Sequence, residues 1–324
     1  MSIPPSQTPV PHDLLWFPGG DVVLSTDTLL FKVHKDVLSL QSSFFKDTFD
    51  FFAVRDAQMA NDGSGSAEET YEGIPVMRMV GDEGTDVVHL LRTVYERQYY
   101  RRDDPKTPLA TMVALFNLNT KYDFKHIRTD VIFQISKEYP TQLDAYDDWC
   151  DCGYPIFGEM REYMYAHFTL LKMLFKANVP GLLPVIYYAS SCSPYSDIFT
   201  MTATLDAECL STLIKGKEKL ILAANSVIGD LPDLVRDVVI KCNEDCQYEV
   251  RITKLSYVLD YADLRQMRGD FVMQQCVNGV CGKCSKKIEA EYDKRRADVW
   301  EKIPSLFGYE SWIKTRQEIA EACT

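Results

Sequence analysis

The chain has 324 residues, 46% of them hydrophobic and 12% aromatic, so it is long enough for two domains with packed cores. Its 35 Lys and Arg residues against 47 Asp and Glu residues give a net charge of −12, which repels phosphate backbones and anionic lipids. We therefore expect neither nucleic acid nor a membrane as a partner. Residues 1–15 contain no apolar signal segment, which predicts a flexible tail and an intracellular protein, in the cytoplasm or nucleus.

The first predicted elements are a β-hairpin and two helices. An apolar run at residues 21–24 and an alternating segment at residues 29–33 are typical of two paired strands with one buried face. A short buried helix is predicted next, around Leu38. Ser42 can cap a second helix, in which three aromatic residues are spaced four and three apart: Phe45, Phe49 and Phe52. We expect these helices to cover the hairpin.

The pattern changes at residues 53–73, which are rich in Gly, Ser, Asn and acidic residues. This composition buries little apolar surface and predicts a mobile acidic loop. Residues 74–79 predict a third strand, with Pro75 near its start. Amphipathic helices are predicted after it, the clearest of them over residues 85–95, and the helical pattern continues to Pro140.

Three motifs in this first half resemble the opening of BTB/POZ domains. They are Asp21-Val22-Val23-Leu24, then Phe31-Lys32-Val33-His34-Lys35-Asp36-Val37-Leu38, then Ser42-Ser43-Phe44-Phe45. The order of the predicted elements over residues 16–140 also resembles that domain, as found in a large family of proteins from mushroom-forming fungi. The motif is specific because it joins a hairpin, a His-Lys-Asp corner and an aromatic helix in one order.

The resemblance implies an α+β fold in which helices cap a small β-sheet, followed by a mainly α-helical C-terminal region. In the family such domains self-associate or dock partners, including transcriptional regulators and cullin-type ubiquitin ligase scaffolds. Asp36 is then expected to be a buried, hydrogen-bonded carboxylate that stabilises the fold, and His34 a packing or interface residue. The motif residues that the resemblance assigns to the fold or to an interface are Asp21, Phe31, His34, Lys35, Asp36 and Phe45.

Residues 141–153 combine several Asp residues and are predicted to be an acidic linker. The spacing of Asp144, Asp147, Asp148 and Asp151 lacks the glycine and terminal glutamate of a calcium loop, so a solvated linker is favoured over a metal site. Residues 154–324 then form the helical region, whose function the sequence does not reveal. His167 borders an apolar stripe there and is predicted to be a core or boundary residue.

The most informative chemistry in the second half is a group of cysteines. Cys242 and Cys246 are separated by three residues, and Cys281 and Cys284 form a Cys-x-x-Cys motif. Two such pairs can place four thiolates around one Zn²⁺ ion, with Cys276 as an alternative ligand. The sequence nevertheless favours packed or free thiols over structural zinc, because Cys-x-x-Cys is also one turn of a helix, and it favours redox chemistry least.

No catalytic signature is present in the sequence. The chain lacks a phosphate-binding Walker loop, a nucleophile elbow, a His-Glu-x-x-His motif and a dinucleotide fingerprint. We therefore predict that it is not an enzyme. The favoured function is a protein-interaction module, an adaptor or scaffold that self-associates or docks a partner. The alternative is a transcriptional regulator whose cysteine-containing half contacts DNA or a corepressor.

Overall fold

A computed structural model describes residues 8–62, 69–151, 160–201, 205–242, 246, 250–259 and 262–324. The chain divides into two compact units, one up to Gln134 and one from Ile135 to Ala322. The boundary lies inside a helix, Lys125–Glu138, rather than after the predicted domain end at residue 140. Each unit is described by itself.

The first unit is an α+β structure, as the sequence predicts. Its strands are β1 (Val10–Trp16), β2 (Val22–Ser25), β3 (Leu29–Val33), β4 (Thr70–Tyr71) and β5 (Ile74–Arg78). Its helices are α1 (Lys35–Gln41), α2 (Ser43–Asp62), α3 (Gly84–Tyr95), α4 (Leu109–Tyr122) and α5 (Lys125–Glu138). The five strands form one mixed sheet in the order β1-β3-β2-β5-β4.

The predicted hairpin is confirmed and lies at the centre of this sheet, but both of its faces are buried rather than one, since Val23 and Leu30 are buried as well. β2 and β3 are antiparallel, with Val22 opposite Val33 and Leu24 opposite Phe31, and all four of these side chains are buried. Helix α2 begins where the sequence predicts, because the Ser42 hydroxyl accepts a hydrogen bond from the Phe45 N–H at 3.1 Å. β5 confirms the third strand, which pairs with β2 in parallel.

The prediction of a flexible tail over residues 1–15 is wrong for its last part. Residues 10–16 form β1, which pairs with β3 in parallel at the edge of the sheet. Leu15 is the one β1 residue that is buried, with only 1% of its surface exposed. Pro11 removes one backbone donor, which an edge strand tolerates. A single buried anchor and a proline produce no alternating pattern, so the sequence does not show the strand. Residues 1–7 lie outside the described residues.

The prediction of a mobile loop over residues 53–73 is also largely wrong. Helix α2 continues to Asp62, and β4 pairs with β5 from Thr70. The guanidinium of Arg55 lies 4.9 Å from the ring centroid of Phe52 within that helix, a cation–π contact that favours the helical turn. Residues 63–68, which include the glycine and serine run, lie outside the described residues.

The second unit is mainly helical, as predicted. Its elements are α6 (Leu143–Asp151), α7 (Met160–Lys176), α8 (Leu183–Ser191), α9 (Tyr195–Met201), α10 (Ala207–Gly229), α11 (Leu231–Val239), β6 (Arg251–Ile252), α12 (Gly269–Cys276), β7 (Val277–Asn278), α13 (Gly282–Leu306) and α14 (Trp312–Ala322). Trp300 and Trp312 stack in its core with ring centroids 5.2 Å apart. The Trp312 indole N–H donates to the carbonyl of Trp300 at 2.8 Å, so the last two helices are joined by packing and by a buried hydrogen bond.

Helix α6 occupies the segment predicted to be a linker. Leu143, Tyr146 and Cys150 recur at spacings of three and four and are buried, which makes one face of this acidic segment apolar. Asp147 is buried as well, and the Arg296 guanidinium donates to its two carboxylate oxygens at 2.5 and 3.3 Å. The partner is distant in the sequence, so local composition suggests a solvated linker where the fold has a helix.

His167 is a core residue, as predicted, with 1% of its surface exposed. Its Nδ1 lies 2.6 Å from the Tyr139 hydroxyl, and burial lowers its pKa to about 3. Between pH 6.5 and 3 the unfolded chain therefore binds a proton here that the folded chain does not, and stability falls as the pH falls.

We expect His167 to contribute a loss of about 2 kcal/mol in the free energy of unfolding between pH 7 and pH 5. Urea unfolding of the wild type and of His167→Gln at both pH values measures this contribution, because the substitution removes the titrating group. The wild type should lose more stability than the variant on acidification. Equal losses of stability in the two proteins would show that folding does not oppose protonation of His167.

Candidate functional site

The four cysteines of the two predicted pairs lie together in the second unit. Cys242 follows α11, whose buried face includes Leu234 and Val238. Cys281 is the N-cap of α13, and Cys284 lies in the first turn of that helix. The chain reaches α13 from β7 through Gly279, which has φ +84°, a left-handed conformation that favours glycine.

The sulfur atoms have the spacing of a metal site. The Sγ atoms of Cys242, Cys246, Cys281 and Cys284 all lie within 4.8 Å of one another. Those of Cys242 and Cys281 are 3.8 Å apart, whereas a disulfide needs about 2.05 Å. Four thiolates at about 2.3 Å from a tetrahedral Zn²⁺ ion are separated by about 3.8 Å along each edge. The cluster can therefore hold a metal ion.

The start of α13 donates one backbone hydrogen bond to the cluster, although the pKa values of Cys246 and Cys284 are both raised overall, because the thiols are partly desolvated and crowded. The Cys281 backbone N–H donates to the Cys246 Sγ at 3.5 Å, and backbone N–H groups at a helix N-terminus stabilise nearby anions. Burial raises the pKa of Cys284, and the neighbouring thiols of Cys242 and Cys281 raise it further. Four thiolates crowded in this way need a cation at their centre to remain charged together.

Cys276, the alternative ligand, lies outside this cluster. It is fully buried at the end of α12, and its thiol donates towards the carbonyl of Lys254 at 3.8 Å. Its own carbonyl accepts a hydrogen bond from Thr253 at 2.8 Å, which continues the short pairing of β6 with β7. The structure thus separates four cysteines that can share an ion from a fifth that packs in the core.

The motif residues of the first unit are divided between the core and the surface. Phe31 and Phe45 are fully buried. His34 is half-buried, and its backbone N–H donates to the Tyr95 hydroxyl at 3.0 Å. Lys35 is half-buried at the first position of α1, with its ammonium 5.9 Å from the centroid of the Phe49 ring. These contacts give the residues structural roles in packing.

Asp36 does not have the environment that the resemblance implies. It is exposed in the first turn of α1. The carboxylate that binds this helix is that of Asp21, whose Oδ1 accepts a hydrogen bond from the Lys35 N–H at 2.8 Å. Asp21, which precedes β2 and is itself exposed, therefore supplies the acceptor for one free N–H group at the N-terminus of α1.

We expect Asp21→Ala to lower the free energy of unfolding by about 1 kcal/mol, since it removes the acceptor at the start of α1. Asp36→Ala is the matched control, and it should cost about 0.5 kcal/mol or less because Asp36 is exposed in the first turn of α1, where a carboxylate gains little from the helix dipole. Urea unfolding of the two variants compares them directly. A larger loss for Asp36→Ala would restore the assignment that the family resemblance implies.

The acidic residues of α6 line a cleft of about 400 Å³ in the second unit. The cleft also contains Arg268 and Arg296, which bind the carboxylates of Asp151 and Asp147 at 2.7 and 2.5 Å. Among the described residues, only the cysteine cluster groups three or more potential ligands at metal-binding distances. Two of the four α6 carboxylates, those of Asp147 and Asp151, therefore form ion pairs with arginines.

A scan of the sequence against models of known protein families finds no match, and no curated protein is significantly similar to the chain. In the described part of the chain no helix combines the length and the apolar character that a membrane span requires.

Proposed function

We propose that the protein binds one structural Zn²⁺ ion through Cys242, Cys246, Cys281 and Cys284. The observation that carries this proposal is the separation of the sulfur atoms, which matches the edges of a tetrahedral zinc-thiolate site. The ion joins the segment after α11 to the first turn of α13. Its role is structural, because four protein ligands fill the tetrahedron and leave no position for substrate or water.

Titration of the metal-free protein with Co²⁺ tests the ligand set, because tetrahedral cobalt thiolates absorb visible light in bands that octahedral cobalt lacks. We expect saturation at one Co²⁺ ion per chain and displacement by Zn²⁺. Cys284→Ser should abolish the bands, and Cys276→Ser, the matched control, should keep them. Equal spectra for the two variants, or saturation at a different stoichiometry, would contradict the assignment.

We further propose that the first unit is a protein-interaction module, whose first partner is a second copy of the chain. The resemblance of its motifs to BTB/POZ domains and its α+β sheet support this function. The edge strand β1 supports it independently, since Val10 and Leu14 are 56% and 66% exposed there. Exposed apolar side chains on an unpaired strand edge favour association with another chain.

Sedimentation velocity of the full chain at several concentrations tests this association. We expect the wild type to form dimers or larger assemblies and Leu14→Lys to shift the equilibrium towards monomer, because a lysine on the edge strand opposes pairing. Leu40→Lys is the control, since Leu40 lies on α1 and is 86% exposed. A wild type that remains monomeric at all concentrations would contradict self-association, and equal effects of the two lysines would exclude β1 as its site.

A further inference from the structure

The proposed zinc site differs from a fully enclosed structural site in the exposure of its sulfur ligands. Cys242, Cys246 and Cys281 are each partly exposed, and only Cys284 is buried. Structural cysteines become inert through burial, whereas accessible thiolates react with peroxides. Three of the four ligands are therefore open to an oxidant in solution.

Cys242 and Cys281 combine this exposure with proximity. Their sulfur atoms are 3.8 Å apart, so side-chain movement of about 1.8 Å brings them to the length of a disulfide bond. The two residues belong to different pairs, one after α11 and one at the start of α13. A bond between them removes one ligand from each pair at once.

We infer that the zinc site is a peroxide-sensitive switch, in which a Cys242–Cys281 disulfide forms and Zn²⁺ is released. This inference rests on the proposed zinc binding. One thiolate of the pair attacks hydrogen peroxide, so that an S–O bond forms, the O–O bond breaks and hydroxide leaves. The second thiolate then attacks the sulfenic sulfur, the S–S bond forms and a second hydroxide leaves.

The two steps balance without a further reactant. The two thiolates lose two electrons, the peroxide gains two, and the two hydroxide ions take up protons to become water. Zn²⁺ keeps its charge and loses two of its four ligands. The remaining thiolates of Cys246 and Cys284 do not complete a tetrahedral site, so the ion leaves. A thiol reductant reverses the disulfide and restores the site when zinc is present.

The test uses the zinc-loaded full chain, with its metal content measured before peroxide is added. A metallochromic dye then follows zinc release, and mass spectrometry of the digested protein maps the disulfides. We expect loss of one zinc ion per chain together with a Cys242–Cys281 disulfide, and recovery of zinc binding after reduction. The control variant Cys276→Ser should release zinc at the wild-type rate, because Cys276 lies outside the cluster.

A second variant, Cys281→His, separates metal binding from disulfide formation. Histidine is a zinc ligand but cannot form a disulfide, so a Cys281→His chain that binds zinc should release it more slowly than the wild type. Zinc that is retained in the wild type at peroxide concentrations that oxidise free cysteine would overturn the inference alone, as would release with a different disulfide. A wild-type chain without zinc before the oxidant is added would overturn both the proposed function and the inference.

Discussion

Removing the metal ion is expected to destabilise the second unit by several kcal/mol, since the free energy of binding a structural zinc ion, about 10–16 kcal/mol in small zinc-binding peptides, contributes directly to folding. The proposed ion connects two segments of the chain through Cys242 and Cys281, which are 39 residues apart. Without the ion, the four thiols must pack against one another with no metal between them.

Urea unfolding followed by the fluorescence of the buried Trp300 and Trp312 measures this effect. We expect the chelator-treated protein to unfold at a clearly lower urea concentration than the zinc-restored protein. Cys284→Ser should resemble the chelated wild type and respond little to zinc, whereas Cys276→Ser should retain the response. Coincident curves with and without zinc would contradict a structural role for the ion.

Breaking the buried ion pair of the second unit should have the next largest effect. The side chains of Asp147 and Arg296 are 12% and 6% exposed, and Arg296 also donates to the Leu264 carbonyl at 3.3 Å. Among the described residues, Asp147→Ala leaves the buried guanidinium with only the more distant Asp293 carboxylate, at 3.4 Å, as an ionic partner. We expect a loss of about 3–5 kcal/mol in the free energy of unfolding.

Two further variants show whether the loss comes from an unpaired buried charge. The double variant Asp147→Leu with Arg296→Met should recover most of the stability, because apolar residues of similar size replace buried ion pairs at little cost. Asp151→Ala removes the exposed partner of Arg268 and should cost about 1 kcal/mol or less. Equal losses for Asp147→Ala and Asp151→Ala in urea unfolding would contradict the buried-charge explanation.

The sequence predicts those parts of the fold that have a recognisable pattern in neighbouring residues. The hairpin β2-β3 consists of two apolar runs joined by a short polar turn, and Ser42 provides a local cap for α2, so both could be predicted. Strand β1 could not, because its backbone pairs with β3 while only Leu15 is buried. Helix α6 is acidic, and the partner that neutralises its buried Asp147 is 149 residues away.

For the cysteine site, too, local sequence patterns are not sufficient for a prediction. Spacing indicates two candidate pairs, but 34 residues, 247–280, lie between Cys246 and Cys281, and no local pattern decides whether the chain brings the pairs together. From the sequence, packed or free thiols are favoured, because Cys-x-x-Cys is also one turn of a helix, and Cys276 is a possible ligand. The fold separates the four clustered cysteines from Cys276. Gly279 and the start of α13 bring Cys281 and Cys284 close to Cys242, while Cys276 remains in the core.

Native mass spectrometry of the full chain, purified with zinc and measured with and without a strong chelator, tests the central claim most directly. We predict that each chain carries one zinc ion, that the chelator removes it, and that Cys276→Ser behaves as the wild type does. A chain that has the mass of the protein alone after purification with zinc, with all four cluster cysteines reduced, would contradict the claim that these cysteines form a metal site.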